Sequence, residues 1–267
     1  MKRFLALILA GLMLLSLAAC GAKDDVVKRG VVGVDAGTGF SSKHFEHSKN
    51  EHGQSEQVYY SNLSTALMDL ESGKIQTLMT VASTADYIVA RHENVTAAKR
   101  DNIFNFAMMT LDSKQDVYDI LNNAIKDMKA DGALDSLIAN ELKAYIESDP
   151  EPKDLPHFDG AVTIKIGVTG DMPPMDFITS NGKAAGFNIA LLAEIANRAK
   201  VNFELVQIEA GSRPMALSSG KVDVVFWIAS VTCTKCNETT TEKTDGTLVT
   251  ESYYSDSNAF VKLKSDK

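Results

Sequence analysis

The sequence predicts an α/β protein built in two parts. Three observations carry that expectation. Short β-branched runs alternate with stretches whose apolar residues recur at helical spacing, on both sides of the chain's middle. The middle itself, residues 149–160 (DPEPKDLPHFDG), holds three prolines and four acids and reads as a linker. Apolar residues make up 45% of the chain against three cysteines, so the core must come from packing rather than from disulfides.

The start of the chain sets the compartment. Lys2 and Arg3 precede an almost unbroken apolar run from Phe4 to Leu17. The run is shorter than the roughly 20 residues that a membrane span needs. Residues 1–19 therefore read as a secretory leader and stand outside the fold. The run closes on Leu17-Ala18-Ala19-Cys20-Gly21, which is similar to the bacterial lipobox. That similarity implies that Cys20 is lipidated and becomes the mature N-terminus. The alternative is an ordinary leader with an incidental cysteine. Residues 20–29 then form a charged tether. The net charge is −8, and it grows more negative once Lys2 and Arg3 leave. Such a chain is a poor partner for nucleic acid.

Val31 to Val34 is a buried strand, stopped by Asp35-Ala36-Gly37-Thr38-Gly39-Phe40, where glycines permit a tight turn. Residues 41–57 are polar. They hold the one histidine cluster, His44, His47 and His52 with Glu46 and Glu51, read as a solvated segment ahead of a metal site. Leu63, Ala66, Leu67 and Leu70 predict a helix that Gly73 ends. Ile75 to Val81 is a strand, Thr84 to Arg91 a short helix, and Ile103 to Leu111 a further strand.

Asp112 and Gln115 have the spacing of a capping box. Val117, Ile120, Leu121, Ala124, Ile125 and Met128 follow on one helical face, with Gly132 as C-cap. Leu134 to Leu142 forms a shorter face. Beyond the linker, Val162 to Val168 is a strand. Gly186-Phe187-Asn188 opens a helix with Leu191, Leu192, Ile195 and Ala199 inward. Phe203 to Ile208 is a strand, Pro214 to Leu217 a short helix ended by Gly220, and Val222 to Ile228 a buried strand. Parallel sheets of this kind bind ligands at the carboxyl ends of their strands.

Several stretches resemble the family 3 extracellular solute-binding proteins, the polar amino-acid receptors of ABC importers. IKIGVTGDMPPMDF (164–177) and GFNIALLAEIANR (186–198) are similar to the family's opening strand and first helix. ALSSGKVDVVF (216–226) resembles the segment leading to its ligand-contacting strand, and SYYSDSNAFVKLK (252–264) the segment crossing to the second lobe. GVVGVDAGTGF (30–40) resembles the second lobe's opening strand and Gly-Thr turn. LNNAIKDMKADGALDSLIAN (121–140) is similar to the closing helices. The resemblance implies a two-lobed, type II periplasmic-binding-protein-like fold with its halves in exchanged order. Residues 30–148 supply the second-lobe half and closing helices, 149–160 the linker, and 161–264 the first-lobe half with a crossover strand. A circular permutation explains the order most simply. A swapped dimer and a rearranged remnant unable to fold alone are the alternatives.

The resemblance also implies ligand contacts. The family's carboxylate-binding Arg falls at Lys235, which keeps the charge but not the fork. Arg213 stands near another cleft-lining position and is the preferred carboxylate contact, with a solvated surface Arg as the alternative. No acid stands at Thr80 to Ala82, where the family places its ammonium-binding Asp; Asp35 is the substitute, and Thr80 remains an uncharged acceptor. Thr38 and Gly39 offer backbone N–H groups. Ser230 and Thr232 match the hydroxyl-bearing ligand strand. Trp227 is a flat wall or a core aromatic. Met172 takes the place of a covering aromatic, flanked by Thr169 and Asp171. Cys233-Thr234-Lys235-Cys236 reads as a local disulfide ahead of free thiols, with metal last.

The expectation is an extracytoplasmic, lipid-anchored receptor for a small polar, amino-acid-like solute, partnered by an ABC permease and needing no cofactor. An enzyme is the second reading, since some dehydratases share this fold. None of the five histidines falls on a cleft motif, which weighs against it. A sensory or scavenging lipoprotein without a permease is the third.

Overall fold

The computed structural model describes residues 26–32, 55–148, 152–233 and 238–264. The first half of the chain gives β1 (Val27–Val32), β2 (Ser55–Tyr60), α1 (Leu63–Glu71), β3 (Thr77–Val81), α2 (Ala82–Arg91), β4 (Val95–Leu111), α3 (Gln115–Ala130), α4 (Ala133–Leu137) and α5 (Lys143–Glu147). A π-helical turn, Ile138–Leu142, joins α4 to α5. The second half gives β5 (Thr163–Val168), β6 (Asp171–Met172), β7 (Asp176–Ile178), β8 (Ala184–Ala185), α6 (Phe187–Ala199), β9 (Asn202–Gln207) and α7 (Arg213–Ser218). It continues with β10 (Val224–Cys233), β11 (Glu238–Thr241), β12 (Thr247–Val249) and β13 (Tyr254–Leu263).

Ten of the strands form one sheet in the order β2-β1-β3-β13-β4-β10-β5-β9, with β11 added to β10 and β12 to β4, and β6, β7 and β8 form a small second sheet. Each end of this sheet is parallel: β1 lies between β2 and β3, and β5 between β9 and β10. Helices α1 and α6 serve these ends as crossovers, as parallel pairing requires. Between the ends run β4 and β13, antiparallel to each other and to their neighbours. The 17 residues of β4 start beside β13 at Val95↔Leu263 and finish against β10 and β12. The result is two α/β halves sharing two long strands.

Local chemistry explains most boundaries. Asn62 caps α1 by accepting from Thr65 N at 2.8 Å. Leu63, Ala66 and Leu70 form its buried stripe. In α3 the buried residues Val117, Leu121, Ala124, Ile125 and Met128 follow helical spacing, and Gly132 sits just past the helix end at φ +79°. The expected capping box at Asp112 and Gln115 is not formed. Asp112 N is drawn away to Gly246 O at 2.9 Å, a 3₁₀ turn precedes the helix, and Gln115 Nε2 donates to Asp119 instead. Gly186 opens α6 because a Cβ there would lie 2.5 Å from the Met175 carbonyl oxygen.

One large core joins the halves, from Leu70, Ile75 and Leu78 through Phe106, Met108 and Val261 to Ile166, Phe187 and Leu191. Each such side chain contributes about 1.5–3 kcal/mol on burial. A smaller cluster around Met109, Leu217, Val225 and Ile228 seats α7. The linker buries more than its composition suggests. Asn202 clamps it, accepting from Phe158 N at 2.8 Å and donating to Phe158 O at 3.0 Å. Lys153 pairs with Glu141, and Leu155 packs on the core.

Candidate ligand-binding crevice

The two halves face each other across a crevice beside the shared strands. It holds a groove of about 850 Å³. On one wall are Thr169, Gly170 and Asp171, just past the carboxyl end of β5, and Gln207 to Glu209, at the end of β9. On the other wall are Ser61, Asn62 and Ser64, at the start of α1. The lining mixes hydroxyls and amides with the charged side chains of Asp171, Glu209 and Lys221 and with Ile208, Met215 and Ala216. The walls touch at one point. Asp171 Oδ2 accepts from Leu63 N at 2.7 Å and Ser64 N at 3.3 Å, and its Oδ1 accepts from the Ser64 hydroxyl at 3.0 Å. A carboxylate thus occupies the positive start of α1.

A separate, smaller chamber encloses about 50 Å³. Thr80 and Val81 line it from the end of β3, Asn258 from β13, Phe104 and Phe106 from β4, and Met172 and Trp227 from the other half. Trp227 enters through a break in the β10–β4 ladder between Val225 and Ile228. Its φ of +68° lies in the left-handed region, which a large side chain occupies only when its surroundings enforce it. The indole meets Phe106 edge-on, with ring centres 5.1 Å apart. Glu242 completes the lining.

Two buried charged groups shape these walls. Asp176, 1% exposed, accepts from Thr169 N at 2.8 Å, from the Thr169 hydroxyl at 3.1 Å and from Gly170 N at 3.1 Å. It fixes the turn that presents Asp171. Burial pushes its carboxyl above the ordinary carboxylate range, and the bonds from Thr169 and Gly170 oppose that. Arg213 is 2% exposed. Its guanidinium donates to Phe226 O at 3.4 Å and Trp227 O at 3.2 Å, and lies 3.8 Å from Glu242.

The residues singled out in the sequence therefore separate. Thr169 and Asp171 line the groove; Thr80, Met172 and Trp227 line the chamber. Arg213 lies beneath the crevice rather than on its lining, because the β10 bulge leaves carbonyls that need a donor. Ser230 and Thr232 line neither compartment. Their hydroxyls pair with Thr241 at 3.0 Å and Thr239 at 3.1 Å on β11. Cys20, Asp35, Thr38, Gly39, the histidine cluster, Lys235 and Cys236 lie outside the described residues, as does the Cys233 side chain. Among the described residues no His, Cys, Asp or Glu group is placed to hold a metal, and no helix is long and apolar enough to cross a membrane.

Sequence reading missed Asp176, whose pairing spans a turn, and Asp256. The latter stands on β13 and accepts from Ser83 N at 2.8 Å, at the start of α2, whose own N-cap residue Val81 makes no side-chain bond. An acid thus reaches the region where the family resemblance expects one, delivered by a strand distant in sequence. Only the "SDS" at 255–257 hinted at it.

Residues 164–267 match the family profile of bacterial extracellular solute-binding proteins, family 3. The matched span runs from β5 through β13 and so includes one groove wall, Trp227 and Asn258. No curated protein matches the chain. Solved structures with a similar fold include the ligand-binding component of an ABC-type import system from Staphylococcus aureus with zinc bound. It is 12% identical, with a TM-score of 0.47, 89% of this chain and 66% of that one covered. The GluR0 ligand-binding core with L-glutamate is 11% identical, with a TM-score of 0.43 and coverages of 90% and 86%. Full-length CbnR with its target DNA is 9% identical, with a TM-score of 0.47 and coverages of 100% and 73%.

Proposed function

We propose that this chain is an extracytoplasmic receptor, held on the membrane by lipid at Cys20, that captures a small polar, amino-acid-like solute for an ABC permease. The solute enters the crevice, and the halves close on it by bending the shared strands. One observation carries this reading. The groove draws its lining from both halves, at the carboxyl ends of β5 and β9 on one side and the start of α1 on the other. Groups recruited from two bodies are what a closing receptor needs. Thr169 and Asp171 are the outer contacts in this reading, and Thr80, Met172 and Trp227 the inner ones.

The chain order is read as a circular permutation closed within one molecule. The family 3 span ends in β13, which pairs with β3, and β3 in turn pairs with β1 near the beginning. Residues 149–160 then bridge the ends of the unpermuted arrangement.

A thermal-shift screen of the full-length chain in mild detergent tests the receptor role, using amino acids, amines and small carboxylates. A solute at a hundredfold excess over its Kd stabilises a one-site receptor by about 2.7 kcal/mol. No shift anywhere in the panel would overturn the reading. Cys20→Ser should release the chain from membranes, because the anchor supplies about 0.8 kcal/mol per buried CH₂.

A further inference from the structure

The lipid anchor and the crevice lie at opposite ends of the first half. Five residues, Gly21 to Asp25, separate Cys20 from Val26. From Cys20 to Val27, where β1 begins, the chain reaches at most about 25 Å, since a fully extended residue spans about 3.3–3.6 Å. β1 then runs toward the crevice: β2 and β3 lie parallel to it, and α1, whose start forms one groove wall, follows directly on β2. β5 points the other way. It is parallel to β10, β10 is antiparallel to β4, β4 to β13, and β13 to β3. Both β1 and β5 therefore end at the crevice and begin at opposite poles of the molecule.

The pole where β1 begins is a bonded surface. Lys28 N donates to Gln76 Oε1 at 2.8 Å, and Gln76 N to Lys28 O at 2.9 Å. At the end of β13, Lys264 N donates to Asn94 O at 2.8 Å, and its ammonium to Glu93 O at 2.6 Å. The exposed lysines Lys28, Lys262 and Lys264 stand against the exposed acids Glu56 and Glu93, so the surface is close to neutral. Beside the tether, Val26 and Val27 are 47% and 37% exposed.

We propose that the short tether holds this pole against the lipid bilayer, with the β5–β9 half farthest from it. The proposal rests on lipid at Cys20, as in the receptor reading, and adds which surface of the protein meets the membrane. A near-neutral polar edge with two exposed valines beside the anchor suits the headgroup layer of a zwitterionic bilayer. The inverted arrangement is out of reach. With the start of β5 on the lipid, the two six-residue strands alone would lift the start of β1 about 40 Å, beyond what the tether spans. The crevice then opens along the membrane surface, about one strand length, or 20 Å, above the anchored pole.

Energy transfer to the membrane tests this. The full-length chain, purified from membranes, is reconstituted in phosphatidylcholine vesicles that carry an acceptor dye on part of their lipid. A donor dye is placed at Lys264→Cys, on the β1 pole, or at Asp159→Cys, just before β5 on the other; both positions are exposed. Cys233→Ser and Cys236→Ser leave the introduced thiol as the one that reacts. Transfer should be several-fold greater from position 264 than from position 159. A flexible Gly/Ser spacer of about 20 residues after Asp25, with a mean span of about 25 Å, should shrink the difference. Equal transfer from the two positions, or more from position 159, overturns the proposal and leaves the anchor standing. A difference that the spacer leaves unchanged overturns it as well. A chain that stays out of the vesicles would sink the anchor and this orientation together, and the thermal-shift panel would still judge solute capture by itself.

Discussion

Asp171 and Leu63 are bonded across the crevice: a carboxylate oxygen of one half accepts from the backbone N–H of the other at 2.7 Å. The bond ties the walls together. Ser64 adds two further bonds to the same carboxylate.

Asp171→Asn removes the charge at the start of α1 while keeping the shape. The contact is partly open to solvent, so the cost should be about 1 kcal/mol. A slightly lower urea midpoint and a larger radius of gyration in X-ray scattering are expected. An unchanged radius would mean that this contact does not hold the halves together.

Arg213→Leu should act on stability first. It strips the donors from Phe226 O and Trp227 O and leaves Glu242 without this guanidinium. Losing one partner of a buried pair costs about 3–5 kcal/mol. Denaturant unfolding measures this. A wild-type midpoint combined with lost affinity for carboxylate solutes would return Arg213 to the crevice lining.

Asp176 makes a pH signature. Unfolded, it ionises near 3.8; folded, burial holds the carboxyl higher. In the window between those values the native state binds more protons than the unfolded one. The stabilising contribution is therefore complete below about 3.8 and is lost as pH rises through the folded value. Asp176→Asn does not titrate. The unfolding free energy of wild type relative to this variant should fall as pH climbs through that window. A difference independent of pH would contradict the assignment.

Thr80→Val should raise stability. The substitution keeps the branched shape and deletes a buried hydroxyl that has no partner among the described residues. Such a group costs about 1–3 kcal/mol. Melting temperature measures this, and a lower value would indicate that the hydroxyl is already satisfied.

The elements legible in the sequence are those whose partners are close by. Leu63 to Leu70, Val117 to Met128 and Leu191 to Ala199 carry their helical stripes internally, and the strands between them are short apolar runs. What escaped was set by distant segments. β4 begins at Val95 rather than at Ile103, because its polar first stretch is a strand only through pairing with residues 259–263 of β13. β10 extends to Cys233 because β11 folds back on it.

The crevice was partly legible for the same reason. Thr169, Asp171 and Met172 follow directly from the end of β5. The burial of Arg213 depends on the Trp227 bulge, and the acid at the start of α2 comes from Asp256. Neither leaves a local trace.

The ladder between β13 and β4 lapses at one place, between the pairs Ser257↔Ile103 and Ala259↔Lys99. Bending costs least where no rung has to break. Opening and closing of the halves would then be a flexure of a doubled ribbon at a fixed notch, with both strands yielding together. Rotation would be restricted to one axis, and amide exchange around residue 258 would report its rate.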